Sequence, residues 1–459
     1  MRLQWFEIQG YKNIRAPLRL EDLAEVNVLH GDNNVGKSNL LESIGLLFVL
    51  LQALREELRG GLSLRELFEQ RTPPGQGQET AGTSVLSTAR SWTYFAERGF
   101  PPGEIFNLQQ PQPIRLRAGL LFKTEELDEG DPSWLAHPLL LSVSLERRED
   151  ELLIALEELR KGDGTHAGSE EGVLAHVLER LGRRRRQKTI EPRFALVRAD
   201  RTVAAASEPE SKEAVPLATR EMLPLELALA LHDTESTTDP VLHKRFEHFR
   251  RALEPFRDLL GEGQWQVRYD RWAERAEVFF DSATTRIPLR LMGSGVQQVV
   301  SLTARLLMTG ADIMAVEEPE LNLRNNAQLR LRDIFRQLVR DSQGPSQLFL
   351  TSHSPAFESR EIFYALTRSS EGPRVERRPN SEAFRFTQPE THVPPAGARA
   401  PLSYVTSDGL VLLPEDVRQK LGLEHGGGVV FVREKDAGHY RMLTDDQYQD
   451  LFEPREPLP

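Results

Sequence analysis

The sequence predicts an α/β protein with a phosphate-binding loop near its start and a small β-rich unit at its end. Three observations carry this. "VLHGDNNVGKSNLLESIG" (28–45) places two glycines, two amides and a lysine between an apolar strand and an amphipathic helix. Residues 290–368 alternate strand-like apolar runs with helical patterns. From 402 onward come a strand, an Asp-Gly turn, a strand, a short helix opening at Pro414, a glycine-rich turn and another strand, with proline at the helix start and Asp-Gly in the turn as those positions favour.

The elements follow in order. "EVNVLHG" is β-rich and ends in Gly31, and after Ser38 the residues Leu40, Leu41, Ile44, Leu47, Phe48 and Leu51 recur at helical spacing. Residues 72–90 are turn-rich and read as loop. "IRLRAGLLFKTEE" and "PLLLSVSLERREDELLIALEELR" alternate as strands do. Residues 161–172 are polar and loop-like; "RFALVRADR" (193–201) is a strand ending in charge; 203–241 are loop-rich with some helix. "DPVLHKRFEHFRRALEPFRDLLG" gives an amphipathic helix or a pair, and "WQVRYDRWAERAEVFFD" a hairpin. Residues 369–402 have linker composition. No internal repeat is visible.

The chain's 459 residues leave room for two to four domains. Its 39% hydrophobic and 28% charged content suits a soluble globular protein. No run of eighteen apolar residues occurs, and the greasiest stretch, "LLESIGLLFVLLQALREELR", carries Glu42, Glu56 and Glu57 and reads as a buried helix, so no membrane partner is expected. "MRLQWFEIQG" lacks a signal pattern, and the absence of cysteine excludes disulfides and thiolate metal sites. A cytoplasmic location is expected. Net charge −11 argues against a uniformly basic nucleic-acid binder while leaving room for a local basic surface. The one dense cluster, Arg183, Arg184, Arg185 and Arg186 in "LGRRRRQK", reads either as a solvated helix end or as a contact to a phosphate backbone.

The chemistry starts at GxxxxGKS: Gly31, Gly36, Lys37 and Ser38. Successive backbone N–H groups in such a loop cradle phosphates, the lysine reaches the β- and γ-phosphates, and the hydroxyl ligates Mg²⁺. The following helix aims its positive end at the same charge. A chance glycine–lysine loop would lack the strand and helix that flank this one. The 281 residues from Lys37 to Glu318 end in "DIMAVEEPELNL", an apolar run delivering Glu317 and Glu318 at the carboxyl edge of a strand, where α/β sheets bind ligands. Glu317 suits a Mg²⁺ ligand and Glu318 a base polarising the attacking water; two solvated loop glutamates are the blander alternative. Upstream, "LMGSGVQQVV" puts Ser294 and Gly295 before an apolar helix, which alone reads as a capping turn. Downstream, "QLFLTSHSPAFE" ends a strand in Ser352, His353 and Ser354, where the imidazole could reach a γ-phosphate.

Taken in order, GxxxxGKS, GSGxQ, a strand ending in EEPE and a strand ending in TSHSP resemble the ABC-type ATPases, most of all their RecF, SMC and OLD branch. "FEIQGYKNIRAPLRLEDLAEVNVLHGDNNVGKSNLLESI" is similar to that branch's opening, and the likeness spans roughly 1–365. The resemblance implies an ABC-type P-loop ATPase head with an inserted helical or lid region. It implies ATP and Mg²⁺ as cofactors and a head-to-head homodimer or larger homo-oligomer. Gly31, Asn33, Asn34, Gly36, Lys37, Ser38 and Asn39 would bind nucleotide, with Ser38 and Glu317 on the metal. Gly293, Ser294, Gly295 and Gln297 would act on the partner copy's nucleotide; Glu318 would be the catalytic base and His353 the switch histidine. Two departures stand out: EE replaces the commoner DE, and "LNLRNN" replaces "LHP" after EPE. The implied domains are 1–145, 146–285 (an inserted helical or lid region with return strands), 286–368, a linker over 369–400, and 401–459.

OLD enzymes carry a C-terminal nuclease needing a DxD pair, and no such pair follows His353. The expectation is therefore an ATPase that controls a separate effector, a nuclease or a toxin, in anti-phage defence. A RecF-like DNA-repair ATPase is the alternative. "DGLVLLPEDVRQKLGL" resembles the AbrB/MazE swapped-hairpin fold, an intertwined dimer that often binds DNA. Its first strand, "LSYVTSDG", has no basic residue, so dimerisation or docking comes before DNA reading; an AbrB-type regulator with a structural nucleotide is a third reading.

Overall fold

Two burial patterns divide the strands of the first unit, and each pattern builds its own sheet. In chain order the strands are β1 (Arg2–Gln9), β2 (Leu18–Leu20), β3 (Val26–Gly31), β4 (Leu86–Ser91), β5 (Ile114–Leu121), β6 (Leu139–Arg147), β7 (Glu151–Lys161), β8 (Arg184–Arg186), β9 (Thr189–Glu191), β10 (Phe194–Val197), β11 (Gly263–Asp270), β12 (Arg275–Ser282), β13 (Arg286–Pro288), β14 (Ile313–Glu317), β15 (Gln347–Ser352), β16 (Ile362–Ser369) and β17 (Gly372–Arg378). The computed structural model describes residues 1–59, 86–107, 112–127, 131, 133–149, 151–162, 171–182, 184–186, 189–199, 224–256, 262–270, 275–358, 362–369 and 372–378 of this unit. The unit runs Met1–Asn380 and a second one Ser381–Pro459.

Strands that alternate buried and less buried residues, such as β5 and β7, form an antiparallel sheet in the order β2-β1-β5-β6-β7-β4. Strands buried along their whole length, β10, β14 and β15, sit in a second sheet of order β10-β14-β15-β3-β16-β17. Its first five strands are parallel, and β17 closes the edge antiparallel to β16. Burial on both faces is what a parallel sheet demands.

The helix α1 (Lys37–Arg59) packs against both sheets, and its leucines join them in one core with Phe6, Phe95, Phe194 and Phe349. Each such side chain contributes about 1.5–3 kcal/mol by leaving water. Phe48 of α1 stacks on Phe194 at 6.0 Å, and Gly45 makes room for that ring: a Cβ there would lie 2.8 Å from Phe194 Cε1. Lys37–Leu58 is long and apolar enough to cross a bilayer, but 89% of the relevant window is buried inside the protein, as the buried-helix reading expects.

The 3.6-residue pattern over 290–368 resolves into helices Ser294–Met308 and Asn325–Arg340, each leading into a strand of the parallel sheet. β11, β12 and β13 form a three-stranded sheet that includes the expected hairpin, beside helices Pro224–Ser236 and Pro240–Ala252.

Several boundaries differ from those read in the sequence. β7 pairs with β6 across residue 145, and β10, within the 146–285 region expected to hold lid elements with return strands, is one such strand and belongs to the parallel sheet. β17 occupies the start of the expected 369–400 linker, because its main chain completes the open edge of β16. β4 lies within the loop expected over 72–90 and pairs with β7. The arginine run is not a helix end: the helix stops at Gly182 and Arg184–Arg186 pair antiparallel with Thr189–Glu191, while Arg183 lies outside the described residues.

In the second unit four strands are described. Tyr404–Val405 pairs with Val411–Leu412, and Val429–Arg433 with Tyr440–Thr444, both antiparallel. The Asp-Gly turn, the helix expected at Pro414 and the glycine-rich turn lie outside the described residues.

Candidate functional site

The strand order gathers three motifs at one sheet edge. β3 ends in the phosphate loop, its neighbour β15 ends in Ser352, and the next strand, β14, ends in Glu317. Because the strands are parallel, all three carboxyl ends open on the same side, where the helix dipole of α1 also points.

The loop takes backbone conformations that its small and amide residues permit. Gly31 has φ 152°, Asn34 φ 63° and Gly36 φ 112°, the first and last in territory that favours glycine. A Cβ on Gly31 would sit 2.5 Å from the Leu366 carbonyl oxygen, so glycine is needed there for β16 to approach. A Cβ on Gly36 would meet the Asn13 side chain at 2.9 Å. Asn13 also accepts from Asn39 Nδ2 at 2.7 Å, tying the first turn of α1 to the segment after β1. Asn33, Asn34 and Ser38 are exposed at the loop's mouth.

Lys37 is buried, and its ammonium donates to the carbonyls of Gly31 (2.7 Å) and Asp32 (2.9 Å). Its Nζ lies 3.1 Å from His353 Nε2. Burial lowers the lysine's pKa, against the opposing pull of Glu318, Asp32 and Glu320. His353 Nε2 is in turn 3.8 Å from Glu318 Oε1. Lys37, His353 and the expected base Glu318 therefore converge, although 316 positions separate the first two.

Glu318 holds a left-handed backbone, φ 42°, clamped because its N–H donates to the carbonyl (2.9 Å) and the hydroxyl (3.2 Å) of Thr351. Such a conformation costs a non-glycine residue about 1–3 kcal/mol and survives where neighbours impose it. Glu317 is buried; its Oε2 accepts from Ala199 N–H at 3.2 Å, while Oε1 has no hydrogen-bond partner. An unpartnered buried carboxylate oxygen is costly unless a cation meets it. Together with the Ser38 hydroxyl and the phosphate cradle, this donor set fits Mg²⁺, an oxygen-seeking ion usually held by one or two carboxylates plus phosphates.

The fourth motif stands apart. Gly293 caps the helix Ser294–Met308, Gly293 and Ser294 are exposed, and Gln297 Nε2 fastens the turn by donating to the carbonyls of Arg290 (3.1 Å) and Met292 (2.8 Å). Among the described residues no hydrogen bond joins Ser294 to Lys37, Ser38, Glu317 or His353. What the helix start does touch is the loop after Glu318: a Cβ on Gly295 would lie 3.1 Å from the Asn322 carbonyl oxygen and 3.3 Å from Leu323. Asn322 turns the chain in that loop at φ 62°. Leu291 (66% exposed) and Leu321 (37%) lie open to solvent, one in the turn before Gly293 and the other in the loop after Glu318.

Sequence reasoning missed a second layer. Glu42, one turn beyond Ser38 in α1, accepts from Tyr11 Oη (3.1 Å), Lys12 Nζ (2.5 Å) and Arg198 Nη1 (2.9 Å). Burial pushes its carboxyl up, but the bonds and charges of Lys12 and Arg198 overcome this and hold it below the ordinary value. Lys12 and Asn13 also line a cleft of about 630 Å³ with Val35, Phe106, Asn107 and Arg368, directly beside the phosphate loop. The signal available was "GYKN" itself, polar residues packed between strands.

This α/β fold brings the phosphate loop, the strand ending in carboxylates and the strand ending in a histidine to one edge of its parallel sheet. The AAA ATPase domain family matches residues 219–357, which include Ser294, Glu317, Glu318 and His353. No curated protein matches the chain. Solved structures similar to it include an SMC head bound to the C-terminal winged-helix domain of ScpA (12% identity, 84% of this chain and 100% of that one, TM-score 0.48). They also include the SMC head domain from Thermotoga maritima (12%, 83% and 100%, TM-score 0.41). A third is the Pyrococcus furiosus SMC head with an extended coiled coil bound to the C-terminal domain of ScpA (10%, 83% and 97%, TM-score 0.46).

Proposed function

We propose that this protein hydrolyses ATP between two copies of itself and uses the closure to control a separate effector. The observation that carries this is the convergence of Lys37, His353 and Glu318 at the mouth of the phosphate loop, with contacts of 3.1 and 3.8 Å. ATP enters with its base and ribose in the cleft beside Lys12 and Asn13 and its phosphates on the loop. Ser38 and Glu317 would hold Mg²⁺, which would neutralise charge on the phosphates. Lys37 then exchanges its carbonyl partners for phosphate oxygens. Glu318 accepts the proton of the attacking water, and His353 donates to the γ-phosphate. Ser294 and Gly295, remote from their own chain's loop, complete the partner copy's site, and Leu291 and Leu321 are covered on closing. The effector reading, a nuclease or toxin in anti-phage defence, is supported by the resemblance to the OLD branch.

The test is hydrolysis. Lys37→Ala should abolish ATP binding. Glu318→Gln should bind ATP and hydrolyse it about 10²–10⁴-fold more slowly, the usual effect of removing a general base. Equal turnover in wild type and Glu318→Gln would remove the base assignment.

A further inference from the structure

Glu320, the last residue of EEPE, contacts neither loop nor lysine in any hydrogen bond, yet it holds the other end of the site. Its Oε1 accepts from the Ser352 hydroxyl at 2.9 Å and from the backbone N–H of His353 at 2.7 Å. Its Oε2 is shut off from solvent with no hydrogen-bond partner. A buried carboxylate bonded on one oxygen only is retained against its desolvation cost where it fixes geometry. The clamp extends further. Gln328 Nε2 donates to the carbonyls of Leu323 (2.9 Å) and Glu320 (3.5 Å), and Gln328 Oε1 accepts from the Ser354 hydroxyl at 2.5 Å. Ser352 Oγ in turn accepts from Ser354 N–H at 2.9 Å. Both residues that flank His353 are thereby tied to the segment that carries Glu318 and reaches Gly295.

We propose that Glu320 is a positioning residue: through the Ser352 hydroxyl and the His353 main chain it sets the imidazole against Lys37 and Glu318. It touches no substrate and transfers no proton. The proposal rests on the ATPase reading above, and the experiment separates the two. Full-length Glu320→Ala, Glu320→Gln and Ser352→Ala are compared with wild type for ATP binding, kcat, KM and thermal unfolding. The ring signals of His353 are followed by NMR in protein carrying labelled histidine, and assigned with His353→Gln. Misplacing a catalytic group by about 1 Å can cost on the order of 10²-fold. Glu320→Ala should therefore lower kcat by about that factor while KM and ATP affinity stay within about threefold, and His353 ring signals should move in nucleotide-free protein. Glu320→Gln, which keeps an acceptor oxygen, should restore most of both, and Ser352→Ala should give an intermediate loss. Wild-type kcat and unmoved His353 signals in Glu320→Ala would overturn the proposal, as would a melting temperature that falls with His353 unmoved. If wild type itself does not hydrolyse ATP, the ATPase reading fails and the His353 signals alone decide the positioning role.

Discussion

At the scale of single residues, the site depends on charges that are expensive to bury unless a partner meets them. Glu42 shows the logic with a measurable consequence. Its side chain is 10% exposed and faces Lys12 and Arg198, which depress its pKa from an ordinary 4.5 despite the opposing effect of burial. A carboxyl depressed in the folded state stabilises the protein above its unfolded pKa, and that contribution is lost as pH falls through the folded value. Glu42→Gln should therefore cost about 1–3 kcal/mol near neutrality, and the gap to wild type should close as pH falls through and below the ordinary carboxylate range. Melting temperatures across that range provide the check. A gap that stays constant would mean Glu42 contributes packing and hydrogen bonds but no charge. The same reasoning places Glu317 differently. Its Oε1 lacks a protein partner, so Mg²⁺ with nucleotide should raise the melting temperature of wild type more than that of Glu317→Gln.

At the scale of elements, what could be read from the sequence was whatever a short window contains. The phosphate loop between strand and helix, the apolar runs of β14 and β15, and the polar residues that end them are local patterns, and their order along the chain is visible too. Parallel burial of those strands was also legible, because continuous apolar runs need both faces covered. Pairing was not legible. β4 joins β7 from within a turn-rich stretch, and β17, charged along "GPRVERR", completes an edge inside what composition makes a linker. Edge strands are specified by main-chain bonds to a neighbour, which side-chain composition does not report. Glu320 and Gln328 escaped for a related reason: their partners are 26 to 33 positions away or are carbonyls of a turn. The arginine run was misplaced because arginine's high helix propensity favours continuing the preceding helix, whereas main-chain pairing in a short ribbon, β8 with β9, takes Arg184–Arg186. If that ribbon contacts DNA, replacing Arg183, Arg184, Arg185 and Arg186 by Gln should weaken binding and flatten its salt dependence by roughly 0.9 per lost phosphate contact. Filter binding over a salt series measures this, and an unchanged slope would return the run to a solvated surface.

At the scale of the whole molecule, the question is how many copies make one site. Lys37 and Ser294 share no contact within the chain, so a Ser294→Arg copy retains its own nucleotide loop and loses only what it offers a partner. A Lys37→Ala copy has the reverse defect. In a random one-to-one mixture half the dimers are mixed, and each mixed dimer holds one intact composite site of two. Recovered activity should therefore approach about a quarter of wild type, from two parents that are each inactive. The second unit sharpens the experiment. If residues after 380 hold two chains together through the proposed intertwined hairpins, full-length parents mixed after purification will not exchange and will recover little, whereas co-expressed parents will reach the quarter. The division at Asn380 allows that unit to be removed between two units. Chains ending there should exchange freely on mixing, recover activity without co-expression, and show turnover per chain that rises with protein concentration, because the tether that keeps a partner at high effective concentration has gone. Full-length parents that recover activity immediately on mixing would count against the second unit as a permanent dimer clasp. Mixtures that recover nothing even when mixed dimers are shown to form would place both halves of each ATP site in a single chain.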